Sequence, residues 1–416
     1  MPYLPRVVDR ELAASLASAG AVVLEGPRAC GKTSTAQEQA ASQVRLDVDQ
    51  AERLGAETAP DLVLDRPAPL LIDEWQLVPS LWDHVRRAVD DRGRPGQFIL
   101  TGSAMPNDDA RRHSGAGRFA VIQMRPMCLA ESGSSDASVS LDRLLAGQSQ
   151  QASDPGLTLT DVANVLAAGG WPGWLNRPLE ATARSLRDYL RQISHVDVPL
   201  VSGRRRNPQK VEATLRAIAR NTGTEAALTT LAADTRQFGA SVDRDTARDY
   251  VAALERLWVI EPQPAWAPAM RSRAQLRNSP KWHLTDPSLA VAALHGSPVK
   301  LLRDLETLGV LFESLVVRDL RVLSQPLGGV VHHYRDNKGL EVDAIVECPD
   351  GRWGAFEVKL GFARIDEAVE HLLTFVGKVD TSTIGDPGVL AVVTSSGPAY
   401  RRKDGVHVLP IGALGP

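Results

Sequence analysis

Gly26-Pro27-Arg28-Ala29-Cys30-Gly31-Lys32-Thr33 follows the spacing G-x-x-x-x-G-K-[ST], with Ser34 next. Glycines at these positions let the backbone curl until several N–H groups face inward, a ready cradle for phosphate oxygens. Lys32 can then reach the β- and γ-phosphates, and the Thr33 hydroxyl can ligate Mg²⁺. Such a loop needs acidic partners. Leu70-Leu71-Ile72-Asp73-Glu74 supplies them at the end of an apolar run: Asp73 to hold the metal through its water shell, Glu74 to polarise an attacking water. Gln97-Phe98-Ile99-Leu100-Thr101-Gly102-Ser103 ends another apolar run, where Thr101 or Ser103 can position that water. Transferring a phosphoryl group also requires charge neutralisation beyond Lys32. Arg111, Arg112 and above all Arg118 are the candidates for an arginine finger, in cis or from a neighbouring subunit.

These residues must be carried by strands. AVVLE (21–25), VRLDV (44–48), PLLID (69–73) and QFILT (97–101) are continuous apolar runs, separated by stretches long enough for crossover helices. That alternation predicts a parallel sheet covered on both faces, with the phosphate loop between the first strand and the next helix. Cys30 reads as a small buried filler. Residues 131–156 are rich in Ser, Gly, Ala and Asp and read as a surface loop or linker with one short helix at LDRLL.

A second group of charged residues lies near the other end. Glu313 falls on a helical stretch, Asp343 follows a glycine turn in Gly339-Leu340-Glu341-Val342-Asp343, and Glu357-Val358-Lys359 alternates on the next strand. Period two puts Glu357 and Lys359 on one face. An acid followed by E-x-K one strand later resembles the PD-(D/E)XK nuclease core. The resemblance implies Mg²⁺ held by Asp343 and Glu357 with help from Glu313, and Lys359 stabilising a hydroxide or phosphorane. The same residues also fit a scaffold of that fold without cleavage.

Between these regions the chain is mostly helical. Leu228–Asp234 and 241–257 read as a helix-turn-helix with Ser241 as N-cap and Val242, Tyr250, Leu254 and Leu257 inward, followed by WVIEPQPAW as a wing. Residues 203–281 carry 14 Lys and Arg against 8 Asp and Glu. Clusters at Arg204-Arg205-Arg206 and at Arg271, Arg273, Arg277 and Lys281 suit contacts to a phosphate backbone. The would-be recognition helix is nearly neutral, with Asp243, Asp245 and Asp249 beside Arg244 and Arg248.

Composition sets outer bounds. Across 416 residues, 47 Lys and Arg against 50 Asp and Glu give a net charge of −3, which excludes a chain that coats nucleic acid by charge alone. Three separated cysteines suggest neither a disulfide framework nor a zinc site. No stretch approaches the roughly 20 apolar residues of a membrane span, so the expected compartment is the cytoplasm.

GPRACGKT, LLIDEWQ and FILTGS together resemble a family of prokaryotic ATPases related to the AAA superfamily, in which a P-loop module is fused to a C-terminal domain of poorly defined function. AGGWPGWL (168–175), SPKWHLTDPSLA (279–290), YRDNKGLEVD and FEVK continue the resemblance in order. Cys30 inside the loop and the Ser-rich stretch at 131–156 depart from it. The resemblance implies a winged helix in the middle. The expectation is an α/β chain in four parts: a P-loop ATPase module (1–132), a linker (133–157), a helical winged-helix-like domain (158–300) and a nuclease-like α/β domain (301–416). ATP and Mg²⁺ are the expected cofactors. DNA is the expected partner, with a protein partner and a homo-oligomer as further expectations. The rival readings are an ATP-regulated Mg²⁺-dependent DNA nuclease and a nucleotide-gated protein-binding scaffold with little turnover.

Overall fold

Alternation of side chains along the first strands builds two cores at once. In β1 (Ala21–Glu25), β3 (Leu70–Asp73) and β4 (Phe98–Gly102), Ala21, Val23, Leu70, Ile72, Phe98 and Leu100 face one layer, while Val22, Leu24, Leu71 and Ile99 face the other. Strands buried on both faces must read as unbroken apolar runs, which is why these segments are recognisable in the sequence. The computed structural model describes residues 2–102, 115–202, 206–267 and 279–416. With β2 (Ser42–Arg45) and β5 (Phe119–Gln123), these strands form a parallel sheet in the order β2-β3-β4-β1-β5. The parallel sheet expected from the sequence is present. Its second strand begins two residues earlier and ends three residues earlier than read, and Asp49 beyond it caps helix Gln50–Thr58. The fifth strand was not anticipated.

The segment expected as a surface loop or linker is instead anchored. It contains β6 (Val139–Ser140) and the helix at Leu141–Leu145, and Val139, Leu141, Leu144 and Leu145 are fully buried. β6 pairs in parallel with the last strand of the chain (Leu414–Gly415), and Ala152 bridges Ala399. Apolar residues at spacings of three and four hid among the Ser and Gly of this segment.

Helices Leu159–Ala168, Leu179–Gln192, Pro208–Arg220, Leu228–Asp234 and Arg244–Arg256 follow. Asp243, not Ser241, caps the last of these, accepting from the Thr246 N–H at 2.8 Å. Val242, Tyr250, Leu254 and Leu257 are buried as expected. β7 (Ile260–Gln263) and β8 (Lys281–Leu284) pair antiparallel beyond them. Helix Leu305–Ser324 then packs on a six-stranded mixed sheet. Its strands are β9 (Val330–Arg335), β10 (Glu341–Glu347), β11 (Trp353–Lys359), β12 (Val389–Thr394), β13 (Tyr400–Arg401) and β14 (His407–Pro410), in the order β13-β14-β12-β11-β10-β9. The α-β-β-β-α-β order read from the sequence is present, with short strands added at its end. One continuous core runs from Cys128 to Leu414, so the expected parts 158–300 and 301–416 share their interior.

Close backbone contact joins the first module to this core. Met127 N–H donates to Gly170 O at 2.6 Å, and a Cβ on Gly170 would lie 2.0 Å from Met127 O. Gly170 N–H donates to Asp286, which also takes buried Arg318 at 2.7 Å. The motifs AGGWPG and TDPSLA therefore meet in space as one joint. Among the described residues, no helix is long and apolar enough to cross a membrane.

Candidate functional site

Parallel strands put every β-to-α turn at one edge of the sheet, and the loop 26–33 emerges there from β1. Gly26 has φ +149°, and a Cβ on it would lie 2.1 Å from the Met124 carbonyl, so only glycine fits this corner. Cys30 is fully buried, with its thiol on Met124 O at 3.7 Å, which agrees with the filler role. Pro27 is buried too, while Arg28, Ala29 and Ser34 are exposed along the rim. Lys32 lies within the cradle, its ammonium donating to Gly26 O at 2.9 Å and Pro27 O at 2.8 Å.

β4 lies between β1 and β3, and this order assembles the polar cluster. The Thr33 hydroxyl donates to Asp73 Oδ1 at 2.9 Å, and Thr101, opposite Asp73 in the sheet register, donates to the same oxygen at 2.5 Å. Thr33 and Asp73 are hard oxygen donors already side by side, a pairing that fits Mg²⁺. Glu74 follows in a left-handed turn at φ +56°, and the Gln76 amide donates to its carboxylate. Arg45, also at this edge, approaches Asp73 Oδ2 at 4.0 Å. Sequence reading missed it, since an arginine ending a weak edge strand carries no motif.

Arg118 does not belong to this cluster as a cis finger. Its carbonyl accepts from Ala21 N–H at the start of β1, the edge of the sheet opposite the loop, and its guanidinium pairs with Asp90 at 2.6 Å. β5 carries it there. Ser103, Arg111 and Arg112 lie outside the described residues.

A cavity of about 490 Å³ adjoins the loop. Tyr3, Arg6, Gly31, Ser34, Thr35, Gly173 and Arg177 are among the residues that line it. Arg6 ties the wall to the loop, donating to Cys30 O at 2.9 Å and Arg125 O at 2.8 Å while pairing with Glu131 at 3.1 Å. The Tyr3 hydroxyl donates to Asp9 at 2.6 Å, and burial followed by that carboxylate pushes its pKa up. Nothing in the motif pointed to these residues, because they come from the N-terminal segment and the helical region.

At the far end of the molecule, Glu313, Asp343, Glu357 and Lys359 do converge. Lys359 donates to Glu357 at 2.6 Å and approaches Asp343 at 3.6 Å, and Asp343 accepts from the Val358 N–H at 2.8 Å. Two further members were missed. Lys281 of β8, 2% exposed, reaches Glu313 at 2.8 Å and Glu341 at 2.7 Å. Burial alone would lower its pKa, but Glu313, Asp343 and Glu341 outweigh burial and hold it up. Burial, with Asp343 nearby, pushes Glu313 up to about 7 and Glu357 up to about 8, against the lysines beside them. Among the described residues, no three His, Cys, Asp or Glu side chains form a metal-ligating arrangement. The cluster as it stands is one of ion pairs.

The expected DNA face is also paired in part. Arg206 meets Asp249 at 3.0 Å and lies 5.4 Å from the Tyr250 ring centre, and Arg248 meets Asp245 at 2.8 Å. Arg204, Arg205, Arg271, Arg273 and Arg277 lie outside the described residues. Lys281, expected on this face, is instead buried between Glu313 and Glu341, where it cannot meet a phosphate backbone.

Comparison with known proteins divides the chain in three. Residues 18–133 match the AAA domain family, residues 159–300 a domain of unknown function (DUF8612), and residues 308–414 another (DUF4143). Uncharacterized protein Rv2008c of Mycobacterium tuberculosis and uncharacterized protein Mb2031c of Mycobacterium bovis are each 26% identical to it over 361 residues, covering 83% of this chain and 71% of theirs. The Walker-type ATPase PABY2304 of Pyrococcus abyssi aligns at 15% identity and a TM-score of 0.41, covering 68% of this chain and 94% of that one. The AAA match over residues 18–133 supports a P-loop ATPase domain in the N-terminal part of the chain, and with it ATP binding.

Proposed function

We propose that this protein hydrolyses ATP and uses the nucleotide cycle to change how its middle and C-terminal regions engage DNA. The observation that carries the reading is the meeting of Thr33 and Thr101 on one oxygen of Asp73 at the mouth of the loop, with Glu74 next in the chain. Loop N–H groups and Lys32 hold the phosphates. Thr33 and Asp73 would hold Mg²⁺, which would supply charge neutralisation to the triphosphate. Glu74 takes a proton from the attacking water, and Thr101 fixes the orientation of Asp73. Arg45, 4.0 Å from Asp73, takes the place of Arg118 as a candidate cis arginine; a finger role for Arg118 needs a second copy. The cavity beside Tyr3 and Ser34 takes the base and sugar, since its volume falls in the range of small-molecule sites.

DNA is favoured as the partner by the excess of Lys and Arg over residues 203–281 and by the paired helices Leu228–Asp234 and Arg244–Arg256 with the β7–β8 hairpin, which suit a winged helix. A second reading, an ATP-controlled Mg²⁺-dependent nuclease, is motivated by Asp343, Glu357 and Lys359 on adjacent strands. Phosphate-release assays with and without single- and double-stranded DNA, run beside Asp343→Ala, test both. Turnover that rises with DNA and DNA that stays intact support the first reading. Cutting lost in Asp343→Ala supports the second. Tight ATP binding with no turnover, even with DNA added, removes the first reading; DNA left intact under all conditions removes the second, and the two outcomes together leave a nucleotide-gated scaffold for a protein partner.

A further inference from the structure

Arg28 occupies the third position of the phosphate loop, yet its guanidinium is held by Asp197 of the helical region at 2.8 Å. The two ends of this pair differ. The Arg28 side chain is 50% exposed, whereas that of Asp197 is 3% exposed. A carboxylate placed so deep against a loop built for anions calls for an explanation, because a buried ion pair contributes little net stability.

Local sequence explains how Asp197 arrives there. Helix Leu179–Gln192 runs on through a π-helical turn, Ile193–Asp197, into Val198–Ser202. Pro199 has no N–H to give and its ring crowds the carbonyl four residues back. The helix widens by one residue at this point, and Val198 N–H bonds Ile193 O, five back. Such bulges re-aim a side chain and recur at functional sites. Earlier on the same helix, buried Tyr189 abuts the Arg28 backbone. Two parts of one helix therefore touch one residue of the loop. Burial raises the Asp197 pKa, Arg28 opposes the rise and the Glu74 carboxylate adds to it, so two acids lie near one another beside the loop.

Resting on the reading of this loop as the ATP site, we propose that Asp197 is a positioning residue of the nucleotide site supplied by the helical region: it holds Arg28 when the loop is empty and yields it to the incoming triphosphate, so that occupancy is transmitted to the π-turn that carries it. Two effects act in one direction. Asp197 competes with phosphate for Arg28, and its charge repels the triphosphate directly. Removing that charge should tighten nucleotide binding, and because Arg28 is half exposed the effect is moderated by solvent.

The experiment is a steady-state ATPase titration of the full chain combined with hydrogen exchange over 189–202. Asp197→Asn is expected to lower KM for ATP about fivefold with kcat within about twofold. Exchange at 193–202 should rise in the wild type on adding ATP and Mg²⁺, and should already be raised in nucleotide-free Asp197→Asn. Asp197→Glu should return both readouts toward wild type. A folded Asp197→Asn with unchanged KM and unchanged exchange overturns the proposal. If Asp197→Asn does not fold, Arg28→Gln, altered on a half-exposed side chain, must show the raised nucleotide-free exchange, and its absence overturns the proposal equally. A wild-type chain that binds no ATP sinks the parent reading and this one with it, whereas ATP binding without the Asp197 effect sinks this one alone.

Discussion

The Thr33 hydroxyl donates to Asp73 Oδ1 across 2.9 Å, tying the end of the phosphate loop to a strand 40 residues further along the chain. A loop and an acid that meet this way can share one metal ion, and the division of labour around them can be separated by mutation.

Glu74→Gln removes the proton acceptor and leaves the cradle. Its kcat should fall about 100-fold or more while nucleotide affinity stays within about threefold of wild type. Lys32→Ala should lose binding itself. Fluorescent-ATP titration beside phosphate release distinguishes the two, and a Glu74→Gln protein with full turnover would remove Glu74 from the mechanism.

The cavity beside the loop can be filled without touching the motif. A Cβ on Gly173 would meet nothing within 4 Å, so Gly173→Leu should fold with Tm changed by less than about 2 °C. ATP affinity is expected to drop about tenfold or more, because the side chain occupies space assigned to the base. Unaltered affinity would place the base elsewhere.

At the C-terminal cluster, Glu313 and Glu357 have pKa values raised to about 7 and about 8 by burial first and neighbouring acids second. A carboxyl with a raised folded-state pKa contributes stability that is complete below its unfolded value and is lost as pH climbs through the folded one. Tm should therefore decline between about pH 5 and pH 8. Glu357→Gln should flatten that decline and exceed wild type at pH 9 by roughly 2–4 °C. Parallel curves for variant and wild type would contradict this.

Gly170 is the tightest point of the joint between the ATPase domain and the rest. Gly170→Ala forces a methyl to within 2.0 Å of Met127 O. A loss of about 3 kcal/mol or more is expected in denaturant unfolding. The neighbouring Gly173→Ala, with open space around it, should cost under about 1 kcal/mol.

Local pattern determined much of this protein. Continuous apolar runs mark β1, β3 and β4 because both faces of a parallel sheet are buried, and G-x-x-x-x-G-K-T is legible because a phosphate cradle tolerates few alternatives. β5 was illegible: FAVIQ is a half-exposed edge strand with only Ile122 fully buried. Missing it put Arg118 at the wrong edge of the sheet. Arg45 and Asp197 were illegible, and Lys281 was read as a DNA contact, for a different reason. Each acts on a partner distant in the chain, and the partnership exists only because strand order and helix packing bring the two together. Sequence spacing constrains residues within one element; which elements face each other is settled by how the buried layers close.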